Sequence, residues 1–223
     1  MKRALLCLLI VGGTIGTVPS TASASFVSSY CYNNNHEDSN YRRVDARAYV
    51  SRALKEGYEW GGGCWNDNNV DDTPGAPDSN GEGPDCSGLV FKSWELESSL
   101  GAGGFHWWDK LQNIHGPYSS DSYHDAATST SLPFYRVDKT NNPLYMDAFA
   151  RIGHVGLLWT SVKNSDGTYT FAEAKGDAYG TNTWSENWMN DSSFVGVRRK
   201  SWTPDCYPNC VASPSEPVVA VES

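Results

Sequence analysis

Apolar residues recur at helical spacing in two stretches of this chain and at strand spacing in three others. Over 45–56, Ala46, Tyr49, Val50 and Leu54 share one face and Gly57 supplies a stop, which predicts a helix. Leu89, Val90, Trp94 and Leu96 predict a second helix from residue 87 to about residue 100. Segments 153–160, 168–174 and 194–200 read as strands, the first two joined by a turn at Asn164-Ser165-Asp166-Gly167. Between the helices, 60–84 carries three consecutive glycines and many Asn and Asp, the composition of a loop. Segment 101–143 mixes Phe105, Trp107, Trp108, Tyr118 and Tyr123 with Ser, Asp and His. It predicts short helices and loops walling one side of a groove. Helices first and strands afterwards make an α+β chain.

The two ends read differently from the middle. Lys2 and Arg3 precede an apolar run from Ala4 to Val11, and Ala22-Ser23-Ala24 is a cleavage signature. Residues 1–24 are thus expected to be a signal peptide, with the mature chain starting at Ser25 and secreted to the extracellular space or cell wall. The run is too short to remain as a membrane anchor. A polar strap (25–44), one folded domain (45–210) and a disordered tail (211–223) follow, and a monomer is expected. Beyond the leader, 15 basic residues face 26 acidic ones, a net charge of −11. Without a basic run, that balance argues against nucleic acid and anionic membranes as partners. Nine Trp and twelve Tyr suit either a groove or a core.

Outside the leader the cysteines are Cys31, Cys64, Cys86, Cys206 and Cys210, an odd number. In an oxidising compartment four can pair and one stays free. Sequence context nominates Cys86 as the free thiol. The other four allow three pairings; Cys206 and Cys210 are close enough to close a small loop around Pro208, which would leave Cys31 to join Cys64.

Cys86 stands where the Gly/Pro/Asp-rich loop ends and the second helix begins, within Asp85-Cys86-Ser87-Gly88. A helix N-terminus offers unpaired N–H groups and positive potential, which favour a thiolate. His154 opens a strand in Gly153-His154-Val155-Gly156, and Glu173 lies one strand further on. Nucleophile, base and orienting carboxylate in that order suit thiol acyl transfer. Asp85 also reads simply as a cap of the nucleophile helix. The remaining histidines, His36, His106, His115 and His124, fall on surface or groove positions without zinc-site spacing, and no calcium loop is complete. No metal or cofactor is expected.

Taken together, Gly57-Tyr58-Glu59-Trp60-Gly61-Gly62, Asp85-Cys86-Ser87-Gly88-Leu89 and Gly153-His154-Val155-Gly156 closely resemble the NlpC family of cell-wall cysteine peptidases, over roughly 46–199. The resemblance implies a papain-like α+β fold with the nucleophile helix packed on an antiparallel sheet. It implies hydrolysis of amide bonds in peptidoglycan stem peptides, typically between D-γ-glutamate and a diamino acid. By position it makes Cys86 the nucleophile, His154 the base and Glu173 the third polar residue. It also makes Tyr58 a support for the oxyanion, and Asp85 with Ser87 a corner that holds a free substrate amine. The family's usual Pro-Gly-Asp-Leu turn is replaced here by Tyr145-Met146-Asp147-Ala148-Phe149, and Cys86 and His154 stand 68 positions apart. A thiol acyltransferase on the same scaffold and a wall-associated protein without activity remain as alternatives.

Overall fold

The computed structural model describes residues 42–65, 83–96, 115–176 and 178–205. The expected signal peptide, most of the strap and the tail lie outside them, as do Cys31, Cys206 and Cys210. Helix α1 is Arg43–Ala53, and the two-residue strands β1 (Gly63–Cys64) and β2 (Gly83–Pro84) pair with each other. Helix α2 is Cys86–Ser93 and α3 is Ser120–His124. Strands β3 (Phe134–Val137), β4 (Ala148–Arg151), β5 (His154–Leu158), β6 (Tyr169–Ala174), β7 (Thr181–Glu186) and β8 (Val195–Arg199) form one antiparallel sheet. Its order is β3-β8-β4-β5-β6-β7. The architecture is α+β.

The two faces of the sheet bury different cores. Val155, Leu157, Ala172, Ala148, Ala150 and Val197 face the helices, where Ala46, Val50 and Ala53 of α1 and Leu89 and Val90 of α2 join them. The opposite face carries Phe149, Leu158 and Phe171 beneath Trp188, Met189 and Phe194. Trp188 stacks on Phe194, with ring centroids 4.2 Å apart. Residues on α2 are buried on every side from Ser87 to Ser93, so the helix that Cys86 opens is an interior element. It stops early: Glu95 takes a φ of 50°, outside the helical region, and the turn at Trp94–Glu95 replaces the longer helix that the apolar spacing predicts.

Asp147 locks the frame. Its fully buried carboxylate accepts from Arg43 (3.0 Å), from Arg198 (2.7 Å) and from the Leu144 N–H (2.9 Å), tying α1 to the β4 and β8 side of the sheet. A buried carboxylate with every partner in place is costly to disrupt from one side. Strands β5 and β6 are joined by the expected turn, closed by the Gly167 N–H on the Asn164 carbonyl at 3.0 Å.

Candidate active site

Register alone brings two of the predicted residues together. Leu157 pairs with Ala172 and Leu158 with Phe171, so Glu173 falls opposite Gly156, two residues from His154 on the same face. Gly156 is what lets the carboxylate cross. A Cβ there would meet Glu173 Cγ and Trp188, each at 2.9 Å. Glu173 therefore reaches diagonally over a bare backbone to His154, and its Oε2 accepts from Nε2 at 2.8 Å. That bond leaves Nδ1 as the basic nitrogen of the neutral ring. The ring stands edge-on to Trp188, with centroids 5.5 Å apart.

Glu173 is fully buried and its second oxygen, Oε1, has no hydrogen-bond partner among the described residues. Lys175 Nζ is 3.9 Å from it, drawn instead to Glu186 at 2.5 Å. Burial raises the Glu173 pKa, against the lowering effects of His154 and Lys175. A cleft of about 590 Å³ opens on this side, lined by His154, Glu173, Lys175, Trp188 and Arg151 among others.

Cys86 is the first residue of α2, half-buried, and free. The backbone N–H groups of Val155 and Ser87 and the Ser87 hydroxyl oxygen lie near its sulfur, and their dipoles favour the thiolate. The thiol thus touches the residue next to His154 in β5. No hydrogen bond joins Cys86 directly to His154. The helix terminus does not make a resting thiolate. Burial first, and the negative charge of Asp85 second, push the Cys86 pKa up to about 12 despite those neighbouring polar groups. The capping carboxylate opposes the helix field that the sequence pattern suggests.

Asp85 caps α2 as expected, its Oδ1 accepting from the Gly88 N–H at 2.6 Å and from the Ser87 hydroxyl at 3.1 Å. Its Oδ2 accepts from the Gly61 N–H at 3.0 Å and faces His115 Nε2 at 3.1 Å. The Asp85 N–H donates to Gly62 O at 2.9 Å, so the 57–62 turn is sewn to the start of α2. At its other end that turn is held by Thr181, whose hydroxyl donates to Gly57 O at 2.9 Å. Half-buried Tyr58 rides on this bridge between the ends of the sheet and the N-terminus of α2.

His115 is the residue that sequence reasoning missed. It sits 28 positions from Ser87 in an aromatic-rich stretch without legible periodicity, and only the fold brings it to Asp85 and Ser87. Tyr123 is a second. It is fully buried under the site, close enough to Asp85 and Cys86 to feel their charge, and its hydroxyl has no hydrogen-bond partner among the described residues.

No family model, curated protein or solved structure matches this chain.

Proposed function

We propose that this protein is a secreted cysteine peptidase or amidase of the papain-like NlpC type, hydrolysing amide bonds in peptidoglycan stem peptides. One observation carries the reading. A free thiol opens a buried helix and lies against the backbone N–H of the strand residue beside a histidine that is itself oriented by a buried carboxylate. Stem peptides, secretion and the D-γ-glutamyl bond rest on the motif resemblance.

In this reading His154 Nδ1 takes the Cys86 proton as sulfur attacks the carbonyl carbon, because a thiol held near 12 does not ionise beforehand. Glu173 Oε2 holds the Nε2–H and stabilises the imidazolium. The leaving amine takes that proton, and a thioester to Cys86 remains. Water, deprotonated by His154, attacks the thioester, releasing the acid and restoring the thiol. Tyr58 supports the oxyanion in both steps. Mass spectrometry of stem-peptide fragments incubated with the mature protein tests the reading. Two products whose masses sum to substrate plus water are expected with wild type and absent with Cys86→Ser. Intact peptides after prolonged incubation with folded wild type would refute it.

A further inference from the structure

Beside Cys86 the structure holds a second polar cluster, built from Asp85, Ser87 and His115. Asp85 is 6% exposed, and each of its oxygens already has two protein partners: Gly88 N–H and Ser87 Oγ on one, Gly61 N–H and His115 Nε2 on the other. Ser87 donates its proton to Asp85 and accepts from His115 Nε2 at 2.6 Å. His115 Nδ1 donates to the Gly116 carbonyl at 2.9 Å. With both ring nitrogens donating, the cluster closes only for the imidazolium form. Burial opposes that charge, but the Asp85 hydrogen bond and charge outweigh it, and the His115 pKa is raised. The segment carrying His115 is fixed in place. Gly116 takes a φ of 80° and lies so close to Phe91 of α2 that a Cβ would be 2.4 Å from the ring.

We propose that His115 determines substrate specificity by filling the Asp85–Ser87 corner itself, so that the site takes peptides whose nearby amine is acylated and gains nothing from a free ammonium. A substrate ammonium entering the corner would have to displace His115 and leave it without its carboxylate. The inference rests on the hydrolytic reading above and reverses the amine-binding role that the motif resemblance implies for Asp85 and Ser87. Acylated amines are what an internal position of a longer or cross-linked chain presents.

The test compares kcat/KM for a free-amine stem peptide and its N-acetylated form, in wild type, His115→Ala and His115→Gln. Wild type should turn over the acetylated peptide at least as fast as the free one. His115→Ala should shift the ratio toward the free amine by about tenfold, the effect of one new charge-assisted contact. His115→Gln, which keeps a donor on Asp85, should retain the wild-type ratio. Tenfold preference of wild type for the free amine, or an unchanged ratio in folded His115→Ala, would overturn the proposal. Cleavage of neither peptide would sink the hydrolytic reading instead. The corner is then judged by NMR titration of His115 in wild type. A ring that stays protonated above the ordinary histidine range, and is unmoved by added free-amine peptide, supports the proposal; a ring displaced by that peptide overturns it.

Discussion

Asp85, beside Cys86, and Glu173, behind His154, are both buried carboxylates, and the protein satisfies them in opposite ways. Asp85 accepts hydrogen bonds from a backbone cap, a second backbone N–H and a hydroxyl, and faces an imidazole. Among the described residues the Glu173 side chain has a single hydrogen-bond partner, His154, and its second oxygen has none. A saturated carboxylate is a joint: it fixes the helix, the 57–62 turn and His115. A half-satisfied carboxylate stores proton affinity, and its raised pKa shows it. In the proposed mechanism the bond to His154 makes Glu173 the partner of chemistry, while Asp85 serves geometry.

The largest effects expected lie on the Glu173 side. His154→Ala should lower kcat by about 10⁴-fold or more, as loss of a base acting in a unit with its nucleophile does. Glu173→Gln should leave a measurable remainder, about 100-fold below wild type, because the amide still holds the ring but cannot stabilise its charge. The same variant should change stability in a pH-dependent way. A carboxyl whose pKa is raised on folding favours the fold at low pH and loses that contribution as pH rises through its folded value. The Tm difference, Glu173→Gln minus wild type, should therefore become more favourable to the variant from about pH 4 to pH 7. A flat difference would contradict the burial argument.

On the Asp85 side the effect should fall on stability. Asp85→Ala removes a cap and strands the Gly61 N–H and the His115 charge, and should cost about 2–4 kcal/mol in urea unfolding. The thiol sharpens the contrast. Alkylation of Cys86 in wild type should keep accelerating beyond pH 9, as a group held near 12 requires, and Asp85→Asn should speed it at pH 8 by removing the adjacent charge. A rate that levels off near neutral pH would mean a preformed thiolate. The smallest effect belongs to Tyr123→Phe, which deletes a buried hydroxyl without a hydrogen-bond partner among the described residues and should stabilise by up to about 1 kcal/mol. Destabilisation by more than that would reveal a partner for the hydroxyl.

Legibility followed the range of the interaction. The first helix, the start of the second, the β5–β6 hairpin with its turn and β8 were readable because periodicity and turn residues are local signals. Strands β3, β4 and β7 were not. β7 reads Thr-Asn-Thr-Trp-Ser-Glu, a largely polar edge strand, and β4 is only four residues, too short to show a period, between its hairpin partner β5 and the distant β8. The Glu173–His154 hydrogen bond needed a hairpin register that one residue of slip would reverse. The shift of Cys86 away from a thiolate was invisible because the pattern locates the helix end but not its burial. Nothing local marked His115, whose partners are set by tertiary contact alone.

Turnover of one stem peptide by Glu173→Gln and Asp85→Asn, each corrected for its folded, alkylatable fraction, tests the division between the two carboxylates most directly. Per folded molecule, Glu173→Gln should run about 100-fold below wild type and Asp85→Asn within about tenfold of it. The reverse order, with Asp85→Asn crippled and Glu173→Gln close to wild type, would contradict the assignment of Glu173 to chemistry and Asp85 to structure.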